Sequence, residues 1–247
     1  MIVMKIGGSV ITDKKRLKAL RLHALNAIAE SISKCEEEII IIHGAGSFGH
    51  ILADKYRVTS GSALPSQISE IHRDVRELNL AVMNALISKG VHSISIPPWD
   101  VVVMSMGSIS SFSSRPFKHA IERGLTPVTF GDVVPDTIRS FSICSGDDLA
   151  LMLAKEFAPN IVVFLSDVDG VLSANGSVLR RVRVGELEEI ASVADGRADV
   201  TGGMKRKVEI MGKICGLGIP CAVVNGLASD RVERALRGDI EGTLILP

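Results

Sequence analysis

The first residues able to do chemistry are lysines set around a pair of glycines. Ile2-Val3-Met4 reads as a strand that runs into Lys5-Ile6-Gly7-Gly8-Ser9, with Lys14 a little beyond. Gly7 and Gly8 have no side chains, so their amides can approach an anion closely and form a concave nest for it. Lysines on either side add mobile point charges with three donors each. The pattern is that of a phosphate site, although many buried strands also end in two glycines.

A second glycine cluster, Gly44-Ala45-Gly46-Ser47-Phe48-Gly49-His50, follows the apolar run Ile39-Ile40-Ile41-Ile42. It fits GxGxxG, but a dinucleotide site fits poorly. The cluster sits on the second strand, His50 lies where the following helix should pack tightly, and the nearest well-spaced acid, Glu70, is inside a helix. A phosphate-cradling loop fits better: Gly44, Gly46 and Gly49 would expose their amides, Ala45 would line the loop, and His50 would add an imidazole donor. His50 also suits a capping role, and His43 stays open between a ligand and a packed strand-end residue. His23, His72, His92 and His119 read as surface or packing residues.

Thr201-Gly202-Gly203-Met204-Lys205-Arg206-Lys207 opens a helix. A lysine in the first turn opposes the usual charge preference of a helix start unless an anion is bound there, which singles out Lys205 and Gly203. Lys207, two residues on, is expected to face solvent. Ser145-Gly146-Asp147-Asp148 places carboxylates at another helix start. Asp147 serves either as a cap or as the counter-charge that holds two lysines in register. Ser166-Asp167-Val168-Asp169-Gly170 follows a buried strand and resembles the nucleophile motif of haloacid-dehalogenase phosphatases. It stands too late in the chain for that class and lacks the downstream aspartate pair. There is no GxxxxGK[ST] segment, so any use of ATP needs a different fold.

These clusters need strands to carry them. Strands are expected at Ile39–Ile42, His92–Ile96, Thr126–Phe130, Ile161–Leu165, Cys221–Val224 and Thr243–Leu246, with a hairpin over 100–114 turning at Met106-Gly107. Apolar periodicity predicts helices over 16–33, 69–89, 116–123, 145–155, 187–194, 204–215 and 230–237. Alternation of this kind predicts a three-layer α/β/α sandwich around a mostly parallel sheet, with the glycine and charge clusters at the carboxyl ends of its strands. The helix bearing Ile71, Val75, Leu78 and Val82 is available to wall an apolar slot.

Composition narrows the class. The chain has 247 residues, 46% hydrophobic, with 28 basic and 28 acidic side chains. That balance argues against a nucleic-acid face or a polybasic membrane patch. No apolar run has the length of a membrane span. Cys35, Cys144, Cys215 and Cys221 show neither CxxC nor zinc spacing, and Met1-Ile2-Val3-Met4 is too short for a signal core. A cytoplasmic protein with free thiols is expected.

Taken in order, Lys5-Ile-Gly-Gly-Ser, His43-Gly-Ala-Gly-Ser, Ser145-Gly-Asp147, Asp167-Val-Asp169-Gly and Thr201-Gly-Gly-Met-Lys205 resemble the amino acid kinase superfamily across the whole chain. Lys14 with Gly49-His50 narrows the resemblance towards the isopentenyl phosphate kinases of the alternative mevalonate pathway. The resemblance implies a single domain forming a homodimer, an acceptor lobe over about 1–140 and an ATP lobe over about 141–247. It further implies that Lys5 and Lys14 contact the transferring and acceptor phosphates, and that Gly7 and Gly8 line the ATP phosphate path. Gly46, Gly49 and His50 would hold isopentenyl phosphate, and Asp147 would organise the lysines. Lys205 and Gly203 would sit on the β- and γ-phosphates, with Asp167 and Asp169 near the nucleoside. Mg2+ would be held by ATP and water, with no protein ligand assigned. Fosfomycin, acetylglutamate or carbamate as acceptor, and a non-catalytic ligand sensor of the same shape, are the alternatives.

Overall fold

The computed structural model describes residues 1–173, 175–187 and 202–247, with side chains from residue 206 onward in the last stretch. Its centre is an eight-stranded sheet in the order β10-β12-β11-β9-β1-β2-β6-β3. The strands are β1 (Ile2–Ile6), β2 (Ile39–His43), β3 (Ser93–Ser95), β6 (Thr126–Phe130), β9 (Ile161–Ser166), β10 (Arg181–Arg183), β11 (Cys221–Asn225) and β12 (Gly242–Leu246). Only the β11–β12 pairing is antiparallel. The strands from β9 to β6 therefore end together at one edge, and the loops that leave them share one surface.

The interior strands are continuously apolar because both faces are covered. Alternation still sorts their side chains. Ile2, Met4 and Ile6 join Ile41, Leu165 and Val224 in a core with α2 (Leu22–Ser33), α4 (Pro65–Ser88) and α9 (Ser229–Leu236). Val3, Ile40, Ile42 and Phe164 pack on the other side with α6 (Arg115–Ile121), α7 (Gly146–Phe157) and α8 (Gly202–Cys215). The three-layer sandwich is as expected. Lys5 shares the parity of Val3, so it emerges at the strand end on the α7 side.

Two departures from the sequence reading bear on the site. The expected helix over 16–33 begins only at Leu22. Before it, Thr12 to Arg21 form a loop closed by a Thr12–Leu20 bridge, and Lys18 sits at φ 54°, which no helix tolerates. Residues 131–144, to which the sequence assigned no element, form β7 (Asp132–Asp136) and β8 (Ser140–Cys144). These join β4 (Val102–Ser105) and β5 (Ser108–Phe112) in a separate sheet of order β5-β4-β7-β8. The hairpin turns at Met106-Gly107 as expected, with φ values of 51° and 79°. Asp136 ties both turns together by accepting from the amides of Gly107, Ile138 and Arg139 and from the Ser142 hydroxyl at 2.7–2.9 Å. Beyond Leu187, the helix expected over 187–194 lies outside the described residues. Among the described residues no helix is long and apolar enough to cross a membrane.

Candidate active site

Two loops meet back to back at the sheet edge. α1 (Gly8–Ile11) starts directly after β1 and Gly7, and α3 (Gly46–Lys55) starts after β2, Gly44 and Ala45. A Cβ on Gly8 would lie 2.6 Å from the Cα and amide nitrogen of Gly46, and one on Gly44 would lie 2.7 Å from the Gly8 nitrogen. Gly46 also has φ 51°. These glycines are required because two backbones touch there. Thr12 braces the crossing: its hydroxyl donates to the Gly8 carbonyl and accepts from the Ser47 amide at 2.7 and 2.9 Å.

Among the described residues the amides of Gly8, Ser9, Ala45 and Gly46 have no backbone partner, so each loop presents a pair of free donors at a helix start. The Gly7 amide, by contrast, donates to the Leu165 carbonyl, the Gly44 amide to that of Ile6 and the Gly49 amide to that of Ala45, so of the amides expected to be exposed at Gly44, Gly46 and Gly49 only that of Gly46 is free. Gly49 is required sterically, since a Cβ there would lie 2.6 Å from the Ala45 Cβ and 2.9 Å from Val75.

Charged side chains converge on these donors. Lys5, 7% exposed, pairs with Asp147 at 2.7 Å from the first turn of α7. Burial works to raise the Asp147 carboxyl, but Lys5 and then Lys207 and Arg206 outweigh it and hold the group below its usual range. Ser145 caps α7 by accepting from the Asp148 amide. Lys14, on the exposed part of the loop between Thr12 and Arg21, pairs with Asp167 at 3.2 Å, while Ser9 donates to the other oxygen of Asp167 at 2.8 Å. Asp167 thus stands against the lysines and the first glycine loop. Asp169 lies farther out, bonded to Asn225 and Arg231. His50 opens to solvent from α3. Surrounding protein, then Lys5 and Lys14, press its imidazole below the ordinary value, so it is neutral at neutral pH.

Lys207 corrects the sequence reading. It is buried, its Nζ reaches the Ser166 hydroxyl at 3.3 Å, and burial, with Lys5 adding to it, lowers its ammonium to about 8. Asp147 and Asp167 act on it in the opposite sense. A partly starved cation facing two aspartates and Lys5 belongs to the site, and the solvent-facing expectation fails. The spacing carried the signal: Lys207, Met211 and Ile214 lie on one stripe of α8, and the latter two are fully buried. Gly203 and Lys205 fall in the first turn of α8, but the Lys205 side chain lies outside the described residues, as does Thr201.

Two histidines resolve differently from each other. His43 is buried and stacked on Phe130, donating from Nδ1 to the Gly44 carbonyl and accepting at Nε2 from Asn79. Burial lowers it to about 4, so it is a neutral support for the glycine loop. His72 is more than a packing residue, since it pairs with buried Asp132 at 2.7 Å and tilts against Trp99. The apolar stripe of α4 divides. Ile71 and Val75 pack with Leu52, Phe130 and Val133 beneath Gly49, whereas Leu78 and Val82 belong to the core under the main sheet. Arg73, exposed on α4, pairs with Asp74 at 2.7 Å.

A doubly supplied anion platform, ringed by lysines at the carboxyl edge of a parallel sheet, is a phosphoryl-transfer site. The model of the amino acid kinase family matches residues 1–225, and the chain belongs to that family of phosphotransferases. Within it, the chain is similar to the isopentenyl phosphate kinase of Thermoplasma acidophilum, 33% identical over 99% of this chain and 100% of that protein. The isopentenyl phosphate kinase of Methanocaldococcus jannaschii is 32% identical over 99% and 98%. A crystal structure of an isopentenyl phosphate kinase superposes with a TM-score of 0.86 at 29% identity, covering 99% of each chain.

Proposed function

We propose that this protein transfers a phosphoryl group from ATP to isopentenyl phosphate, giving isopentenyl diphosphate. The observation that carries this reading is the joining of two free-amide platforms, one under Lys5 and Lys207 and one under His50, at a single backbone crossing. On this reading residues 1–140 bind the acceptor and 141–247 the nucleotide. MgATP supplies the phosphoryl group and the charge-neutralising ion.

The acceptor phosphate is already an anionic nucleophile, so the site needs no strong base. Its work is to bring two anions together and to stabilise charge on the transferring oxygens. Gly8 and Ser9 donate to the nucleotide phosphates, with Lys5 and Lys207 as cations and Asp147 holding Lys5 in place. Ala45 and Gly46 donate to the acceptor phosphate, and His50 adds a hydrogen bond from the outer side of α3. Lys14 reaches across from the acceptor side towards the transferring group. Gly49 keeps the helix start close to Ala45 and Val75, so the apolar cluster with Ile71 and Val133 lies directly beneath, where an isopentenyl tail finds no hydrogen-bonding partner.

Among the described residues no group of three acidic, histidine or cysteine side chains could cage a metal, and Asp147 and Asp167 each already face a lysine. On this reading Mg2+ arrives on the nucleotide. The same reading makes the protein a cytoplasmic homodimer. Exposed Leu80 and Ile87, seven residues apart on α4, offer an apolar stripe for a second copy. A coupled ADP-release assay against isopentenyl phosphate, fosfomycin, acetylglutamate and carbamate tests the acceptor. Turnover with isopentenyl phosphate alone is expected, and preference for any other replaces the reading.

A further inference from the structure

The loop that carries Lys14 is anchored at its far limb by a contact that the reaction itself does not use. Between the Thr12–Leu20 bridge the chain runs Asp13-Lys14-Lys15-Arg16-Leu17-Lys18-Ala19, with residues 14–17 exposed. Inside the loop the hydrogen bonds are few: the Asp13 amide donates to the Ala19 carbonyl at 2.8 Å, the Lys15 amide donates to the Asp13 carboxylate at 3.0 Å, and the Arg16 and Ala19 amides make long bonds of 3.3 and 3.4 Å. Lys18 turns at φ 54°, a conformation unfavourable for a lysine unless something holds it. Its ammonium pairs with Asp74 at 3.4 Å and with Glu77, both on α4, and stands 5.9 Å over the Phe48 ring of α3. The Asp74 side chain is only 2% exposed and also receives Arg73. The Lys18 amide and the Ala19 amide bond Ser47, three residues before His50. The opposing pairs with Glu77 and Asp74 raise the Lys18 ammonium above its ordinary value, so it stays charged through neutral and mildly basic pH.

We propose that Lys18 is a positioning residue for phosphoryl transfer: clasped by Asp74 and Glu77, it latches the Lys14 loop to α3 and α4 and so fixes where Lys14 meets the transferring phosphate. This rests on the role given to Lys14 above. Misplacing a reacting or charge-stabilising group by about 1 Å costs up to roughly a hundredfold in rate. Lys18→Met is therefore expected to lower kcat by about 10- to 100-fold with KM for ATP little changed, and Lys18→Arg to restore most of it.

Limited trypsin digestion with mass mapping reads the latch without activity. Cleavage after Lys14, Lys15 and Arg16 should speed up in Lys18→Met. A double-mutant cycle then separates positioning from mere stability, because Lys14→Met plus Lys18→Met should be no slower than Lys14→Met alone. Should Lys18→Met not fold, Glu77→Gln, at the solvent side of the contact, is read by the same digestion and cycle. Unchanged loop cleavage overturns the latch. Faster cleavage with unchanged kcat, or additive losses in the cycle, overturns the positioning role. If Lys14→Met itself leaves kcat unaltered, the role given to Lys14 is what fails.

Discussion

Lys207 is a cation that burial disfavours, and binding of a polyanion should offset that penalty. Its fall from the ordinary 10.5 to about 8 corresponds to roughly 3 kcal/mol against the charged form, at about 1.4 kcal/mol per tenfold. If phosphate binds only the charged form, affinity scales with its population. With the group titrating near 8, about nine-tenths is charged at about pH 7 and about one-tenth at about pH 9. A non-hydrolysable ATP analogue should therefore bind about tenfold more weakly at the higher pH. Titration calorimetry in two buffers of different ionisation enthalpy should show proton uptake near zero at the lower pH, approaching one at the higher. Lys207→Met should bind weakly at both with no slope, and Lys207→Arg should keep its affinity in base. The free protein gives a second reading. Between about 8 and 10.5 the unfolded chain holds this proton and the folded one does not, so the contribution of Lys207 to stability rises with pH in that window. Below it the buried charge is a burden, so Lys207→Met should melt no lower than wild type near neutral pH while losing transfer. Wild-type affinity constant within about twofold across that range, or an equal slope in Lys207→Met, would refute the reasoning.

Three further outcomes follow from the geometry. His50→Gln keeps a hydrogen-bond donor and should retain much of the kcat, whereas His50→Ala should lose about 10²-fold in steady-state turnover; equal rates for all three would remove His50 from the reaction. Gly49→Ala forces a methyl against Ala45 and Val75, and should cost about 1–3 kcal/mol in denaturant unfolding and raise KM for the acceptor before that for ATP. Asp136 is buried, which alone would raise its carboxyl, but donors led by the Arg139 amide and the Ser142 hydroxyl hold it well below the ordinary 3.8. Its stabilisation is present above that value and lost as pH falls below it, so Asp136→Asn should melt lower at neutral pH and show a shallower acid transition by circular dichroism.

The parts of the fold legible in the sequence are those where one physical signal dominates. Ile39 to Ile42 and Ile161 to Leu165 are apolar on both faces, and only an interior parallel strand satisfies that. Asp132 to Cys144 escaped because Pro135, Asp136 and the polar Thr137-Ile138-Arg139-Ser140 turn carry no clear alternation, and its strands belong to a small side sheet. The expected start of α2 failed at Lys18, where apolar spacing runs on but a single left-handed residue reverses the chain. For the site, Lys5, Asp147 and the glycine loops could be found because each abuts a strand or helix end, whereas Lys14, exposed within a loop, stands out only through the family resemblance. Lys207 was missed because attention went to the first helical turn, while the facing of a residue depends on the register of the whole helix. The stripe through Met211 and Ile214 held that register. His72 offered no such clue, since its partner Asp132 comes from the side sheet that could not be foreseen.

The crossing of Gly8 with Gly44 and Gly46 acts as a ruler. The separation of the two amide platforms equals the thickness of two bare polypeptide backbones, a length that no rotamer or side-chain substitution can tune. On the proposed reading, substitutions among the walls below Gly49 would alter which tails fit while the gap to be crossed by the phosphoryl group stayed constant. Acceptor choice and transfer distance would thereby be separate variables, one written in replaceable side chains and the other in main chain.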